Sequence, residues 1–488
     1  MTEMIARRRR AVLLALAGGL VVGLSGCKSL QRAIFGGPHA GTPGYVIGFL
    51  GAAVADEPRA ALEARVILSS GGNAADAATT LAFTLAVTLP SRAGLGGGGG
   101  CLTYFPPAHE PEAILFLPRP PTDQQAAASD RPAAVPMLAR GLLTLQARYG
   151  TVPLARLIEP AEGLARYGVP VSSALARDLK VVAPALLLDR GAALFSAATG
   201  GPLAEGTTLM QPDLGASLAQ IRINGTNDLY AGALAKRLVT TAAEAGSPIA
   251  AADLAAARAE VATPIMVEAG SERVAFLPLP ADGGLAAAGA FQALQKNPND
   301  TKAAQSLALA LAARYRAAGG TAPALLAAPP SSGALPPLPA STAFVVLDRK
   351  GGAVACSLTM GNLFGVGRIA RGTGIVLAAS PRAWPPPLLA AAIAWNPHRH
   401  AFRAEVGGSG QEGAPLAVAD ALRMTLAMDP KNPKAPFMPH PVPDPGRANV
   451  IACLNELPGK EKTCRWQADP RLAGLATGGE DNWRELEK

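Results

Sequence analysis

The run Ser69-Ser70-Gly71-Gly72-Asn73-Ala74-Ala75-Asp76-Ala77-Ala78, with Gly94-Leu95-Gly96-Gly97-Gly98-Gly99-Gly100 downstream, decides how this chain is read. Residues 57–68 in front of it have helical periodicity and stop at Ser69-Ser70-Gly71-Gly72, where glycine can take the conformation that ends a helix. Asn73 can then cap a second helix over 74–88. That segment is rich in small residues and apolar nearly all round, which predicts burial. The glycine run leads into Cys101-Leu102-Thr103-Tyr104-Phe105, a strand, and residues 45–54 upstream are also apolar and β-like.

Further along, 135–179 holds two helical stretches joined by Arg148-Tyr149-Gly150-Thr151-Val152-Pro153, and 228–243 and 250–259 are helical again. Residues 273–277 read as a strand entering Pro278-Leu279-Pro280, and 283–294 as a helix. The composition then breaks: 321–340 is rich in Pro, Ala and Ser and reads as a mobile linker. Strands gather after it. Residues 342–347 and 353–358 form a hairpin around Gly351-Gly352. Strands at 375–378, 391–395, 402–406 and 448–453 follow, with a helix over 415–428. The linker thus ends just before a hydroxyl residue at the start of a strand.

The 488 residues leave room for one large domain or two or three ordinary ones. Hydrophobic residues make up 49%, much of it Ala, and aromatics only 5%, so the core is expected to be Ala, Leu and Val in closely spaced elements. Residues 1–26 hold four Arg and Glu3, so the rest of the chain carries about +5 of the formal +8, a mild charge for this length. No cluster of Lys or Arg interleaved with aromatics appears, which argues against a nucleic-acid partner.

The first residues have the three parts of an export signal. Arg7, Arg8, Arg9 and Arg10 are a positive region, and 11–24 is an apolar run too short to span a bilayer comfortably. Leu24-Ser25-Gly26-Cys27 then resembles a bacterial lipobox. The expectation is a lipoprotein signal over 1–26, lipidation of Cys27, and a tether over 27–44. By resemblance to sorting signals, Lys28 with no neighbouring Asp favours the outer membrane, facing the periplasm. Of the other cysteines, Cys453 and Cys464 flank a segment with Pro458-Gly459 that can turn back, and a disulfide between them is expected in an oxidising compartment. Cys101 and Cys356 sit in apolar runs and read as small buried hydrophobes. Neither His398 and His400 nor any cysteine pair has zinc spacing, so no metal is expected.

With these residues laid out, the chain resembles the gamma-glutamyltranspeptidases. The resemblance runs from Ala55-Asp56-Glu57-Pro58 through the glycine-rich stretches quoted first, then Tyr149-Gly150 to Pro160-Ala161, Leu229-Tyr230-Ala231-Gly232, Ala252-Asp253-Leu254, Pro280-Ala281-Asp282-Gly283-Gly284 and Ala468-Asp469-Pro470-Arg471. It implies an α+β fold, the four-layer αββα sandwich of the N-terminal nucleophile hydrolases. It also implies a large-subunit-like region over 45–340 and a small-subunit-like region over 341–488. A precursor of this type cuts itself, and the freed hydroxyl residue attacks a gamma-glutamyl amide with its own α-amine as base. Here the cut would fall between Ala340 and Ser341, and the two fragments would stay associated. Ser341 is the implied nucleophile and Thr359 the second hydroxyl that orients it. Arg119, in Phe116-Leu117-Pro118-Arg119-Pro120, falls where the family clamps the substrate carboxylate, and Thr342, Gly408 and Ser409 fall on further substrate-binding positions. No cofactor is implied.

Three departures stand against this. The family's acid for the substrate α-amine is missing after Gly372-Thr373-Gly374-Ile375-Val376-Leu377, where Ala378-Ala379-Ser380-Pro381 follows. Its Ser-Ser pair falls near Pro385-Pro386-Pro387, and its oxyanion glycines fall near Gln411-Glu412, with Gly407-Gly408 or Gly413 as alternatives. The sequence therefore leaves two expectations open: a gamma-glutamyl hydrolase or transferase working through Ser341, or a non-catalytic relative acting as a membrane-anchored binding or assembly protein.

Overall fold

A computed structural model describes residues 46 and 48–481, apart from 108–109, 189, 430 and 433–441. The signal, Cys27 and the tether lie outside the described residues. Among the described residues, no helix is long and apolar enough to cross a membrane.

Two antiparallel sheets stack face to face. The first takes β1 (Gly48–Ala55), β2 (Gly98–Tyr104), β3 (Glu112–Phe116) and β4 (Glu260–Ala262) from the region before Ser341. The second takes β5 (Ile265–Ala269) and β6 (Glu272–Phe276) from the same region. After Ser341 come β7 (Thr342–Asp348) and β8 (Ala353–Thr359), which join the first sheet. β9 (Ala390–Asn396), β10 (Ala401–Ser409), β11 (Arg447–Leu457) and β12 (Cys464–Gln467) join the second, and β13 (Leu475–Asp481) returns to the first. The seven-stranded order is β13-β1-β7-β8-β2-β3-β4, and the six-stranded order is β12-β11-β10-β9-β6-β5. Both regions therefore share both sheets, and β7 sits between β1 and the central strand β8 of the first.

Period-two alternation sorts these strands into three cores. Ala52, Val54, Leu102, Val345, Leu347 and Ala355 face Ala391, Ile393, Trp395 and Ile451 between the sheets. On the other face of the first sheet, Ala53, Cys101, Phe344, Val346 and Val354 meet α1 (Pro58–Ser69), α2 (Ala74–Thr88), α3 (Leu138–Tyr149), α4 (Leu154–Tyr167) and α5 (Ser173–Leu186). The outer face of the second sheet, with Ala392, Ala404, Val406 and Val450, is covered by α6 (Asp282–Lys296), α7 (Thr301–Ala318) and α8 (Ala414–Leu426). The result is the four-layer αββα sandwich that the resemblance implies. The Ala-rich composition lets the layers approach closely.

The residues quoted first behave as their chemistry requires. Asn73 caps α2 by accepting from the Asp76 amide, while Asp76 accepts from the Asn73 amide, a reciprocal capping box. All fifteen residues of α2 are buried. The strand after the glycine run begins inside it, at Gly98, where a Cβ would lie 2.2 Å from the Phe116 carbonyl oxygen. Several elements had no reading in the sequence, among them the helix Pro212–Asn224, α7 and the strands β3, β4, β5, β12 and β13. The expected mobile linker is in part a helix, Ala322–Ala327, and its end is packed, with Leu338 buried.

One cysteine expectation is corrected. Cys101 and Cys356 are not free thiols but a disulfide, because antiparallel pairing sets them directly opposite each other on β2 and β8. Cys453 and Cys464, paired on β11 and β12, are joined as well.

The core between the sheets also holds an acid. Glu405 on β10 is fully buried and pairs in register with Ile393 and Ile451. Burial, and after it the nearby Asp348 charge, push its carboxyl well above the ordinary value of 4.5. A raised acid binds its proton more firmly in the folded chain than in the unfolded one. Its contribution is therefore complete below the unfolded value and is lost as pH rises towards the folded one. Relative to Glu405→Gln, the parent is expected to lose about 1.4 kcal/mol of stability per pH unit over that window, read by urea unfolding at a series of pH values.

Candidate active site

The Ala340–Ser341 peptide enters β7 held on both sides. Upstream, the Gln411 side-chain amide donates to the Leu338 carbonyl at 2.7 Å. The Thr359 hydroxyl donates to the Ala340 carbonyl at 3.1 Å and accepts from the Gly361 amide at 2.9 Å, which fixes its direction. Arg92 reaches the Ser341 carbonyl at 3.4 Å. Downstream, Asp56 at the end of β1 accepts from the Thr342 hydroxyl at 2.9 Å and the Ala343 amide at 3.3 Å. Asn449 ties the set together by donating to both Asp56 (2.7 Å) and the Ala343 carbonyl (2.9 Å).

Ser341 itself is only 1% exposed, and its Oγ has no hydrogen-bond partner among the described residues. An orphaned buried hydroxyl is costly and needs a reason. It belongs to the residue whose preceding carbonyl is already polarised by Thr359.

Arg92 is positioned by Asp178 on α5. Its Nε and Nη2 donate to the two carboxylate oxygens at 2.7 Å each, and Ser91 Oγ donates to Asp178 at 2.6 Å. Burial works against the Arg92 charge, but the bonds and charge of Asp178, with Asp56 beyond, outweigh it and hold the guanidinium above its ordinary value. Fork-to-fork pairing of this kind sets orientation as well as charge.

The glycine run lets this corner close. A Cβ on Gly97 would lie 2.4 Å from the Thr359 carbonyl oxygen and 2.8 Å from Met360 Sδ. Gly97→Ala is expected to push the end of β8 away and cost ~1–3 kcal/mol as overpacking, visible as a lower urea midpoint with unchanged slope.

Beside Thr359 a pocket of about 180 Å³ opens, walled by Leu117, Pro280, Ala379, Trp384, Pro386 and Leu389. Asp282, the charged residue in its lining, accepts from Arg316 at 2.5 and 3.1 Å. Burial pushes the Asp282 carboxyl up, against the pull of Arg316. Among the described residues, no group of three or more His, Cys, Asp or Glu could hold a metal ion.

The sequence profile described as Gamma-glutamyltranspeptidase matches residues 60–324, more than half of the chain. The chain belongs to the gamma-glutamyltranspeptidase family. The matched stretch ends before Ser341. The Glutathione hydrolase proenzyme of Escherichia coli (strain K12) is 33% identical over 235 residues, covering 45% of this chain and 40% of that protein. The Acylase ACY 1 proenzyme of Pseudomonas sp. (strain SE83) is 34% identical over 238 residues, covering 45% and 43%. The chain thus spans less than half the length of these curated relatives. Over its whole fold it is similar to the cephalosporin acylase from Bacillus halodurans, with a TM-score of 0.72 at 19% identity, covering 90% of this chain and 97% of that one.

The gamma-glutamyltranspeptidase pattern is only partly assembled around Ser341. Thr359 and Thr342 stand beside it. Arg119, next to the pocket-lining Pro118, donates to the Arg258 carbonyl at 2.9 Å and pairs with Glu260 at 2.7 Å at the edge of the first sheet. Gly408 faces α8, where a Cβ would meet Val418 and the Ala414 carbonyl. The glycine on the Ser341 side is Gly407, against Ala343 and Phe344. Ser409 is buried at the end of β10. Glu412 lies in a short turn, and its backbone carbonyl accepts from Gln305. The alanines and prolines at the family's amine and carboxylate positions form the apolar wall of the pocket. Arg92, Asp178 and Asn449 had no reading in the sequence, and Gln411 was named there only as standing where the family's oxyanion glycines fall. Asp56 was visible, in Ala55-Asp56-Glu57-Pro58, but without a role.

Proposed function

We propose that this chain is a self-cutting precursor whose cleavage between Ala340 and Ser341 frees Ser341 as the nucleophile of an amide hydrolase or acyl transferase. One observation carries the reading: the buried, unpartnered Ser341 Oγ follows a carbonyl that the Thr359 hydroxyl already polarises. Attack of Oγ on that carbonyl moves the acyl group from nitrogen to oxygen, and water then splits the ester. The new α-amine serves as base for the next acyl group. Family membership makes a gamma-glutamyl amide the first substrate to try. The relatives include both glutathione hydrolases and acylases, so membership alone does not fix the acyl group.

The test is a denaturing gel of the parent beside Ser341→Ala. It must be run under reducing conditions, because the Cys101–Cys356 disulfide joins the two sides of the cut. The parent is expected to give two fragments when reduced and one species when not, and the variant one band in both. One intact band for the reduced parent would instead favour the non-catalytic binding or assembly role, a reading supported by the apolar wall. The lipobox at Cys27 and two disulfides support export to an oxidising compartment and a lipid anchor facing the periplasm. Loss of radiolabelled palmitate from a Cys27→Ser variant checks the anchor.

A further inference from the structure

We propose that the acyl group taken by Ser341 is short and apolar rather than gamma-glutamyl; this rests on Ser341 being the nucleophile. The pocket opens at Thr359, one hydrogen bond from the Ala340 carbonyl, so it adjoins the point of attack. A gamma-glutamyl group brings an ammonium and a carboxylate, and each needs a partner when it leaves water. Among the described residues, the lining has no Arg or Lys to meet the carboxylate. Its one acid, Asp282, is already closed by Arg316, which also donates to the Pro386 carbonyl at 2.8 Å. The Thr359 hydroxyl holds the Ala340 carbonyl before the cut, and one neutral hydroxyl offers no opposite charge to an ammonium or a carboxylate. Leu117, Ala379, Leu389 and the prolines leave methylene groups as the matching chemistry.

Size narrows the class. At about 180 Å³ the pocket is small beside the roughly 300–1,000 Å³ of typical small-molecule sites, which suits a short acyl chain. Trp384 lines this pocket and also a neighbouring cavity of about 200 Å³ that holds Leu186 and Phe364. It is the wall that sets the depth.

The reaction conserves all its parts. Ser341 Oγ bonds to the amide carbonyl carbon, and the hydroxyl proton passes through the α-amine to the leaving nitrogen as the C–N bond breaks. Water then splits the ester, giving the carboxylic acid and restoring the hydroxyl.

Purified parent protein, presented with p-nitroanilides of butanoic, hexanoic, octanoic and decanoic acids and of gamma-glutamate, tests this through kcat/KM. Each added methylene is expected to raise kcat/KM roughly fourfold until the pocket is full. Hexanoyl is expected to exceed gamma-glutamyl by at least about a hundredfold. Trp384→Ala should move the optimum to longer chains. Faster release from gamma-glutamyl, no dependence on chain length, or no release from any acyl anilide would overturn the proposal, provided the reduced gel shows two fragments. If that gel shows one intact chain, the nucleophile reading itself fails, and this inference with it.

Discussion

Thr359→Val is expected to slow the proposed self-cleavage by about a hundredfold to a thousandfold while leaving the fold intact. Valine keeps the shape of threonine and removes its hydroxyl. Among the described residues that hydroxyl is the donor to the Ala340 carbonyl, and the Gly361 amide presets its direction. Negative charge develops on the carbonyl oxygen as Ser341 attacks. A donor already aimed there stabilises the transition state more than the ground state, and loss of one such donor costs roughly two to three orders of magnitude in rate. A time course of fragment appearance on reducing gels measures it. The melting temperature should stay within a few degrees of the parent, since one hydrogen bond contributes only ~1 kcal/mol. Cleavage at the parent rate would show that Thr359 plays no part in it.

Asp178→Ala has the largest expected effect on stability. Its carboxylate is 4% exposed and Arg92 is 19% exposed, so the pair is largely out of water. Removing the carboxylate strands the guanidinium and also takes away the partner of Ser91. Breaking a buried pair from one side costs ~3–5 kcal/mol, because the remaining charge is uncompensated. The urea midpoint should fall accordingly. Cleavage should slow as well, since Arg92 is the residue that reaches the Ser341 carbonyl. Arg92→Met together with Asp178→Leu should recover part of the stability without the cleavage, separating the structural role from the positioning one.

Local chemistry carried the reading of the fold a long way. The Asn73 cap, the apolar α2 and the hairpin around Gly351-Gly352 are written in adjacent residues, and each formed close to its expected bounds. What stayed hidden depends on contacts between distant residues. The Cys101–Cys356 bond spans 255 residues and exists because β8 lies beside β2, a pairing that no local pattern announces. The grip on the Ala340–Ser341 peptide is of the same kind: Arg92, Asp178, Gln411 and Asn449 come from four separate parts of the chain. Arg119 is a further contact of this kind: its place in the family pattern implied a substrate clamp, and Glu260, 141 residues on, pairs with it. The prolines at 385–387 read as lost binding groups, and only their arrangement around Thr359 shows that they build a pocket of another kind.

The position of the proposed cut is the most direct test of Ser341 as the nucleophile. Intact mass and N-terminal sequencing of the reduced parent protein should give a smaller fragment that begins Ser341-Thr342-Ala343-Phe344, with its partner ending at Ala340. A single uncut chain, or a new N-terminus at any residue other than Ser341, would contradict it.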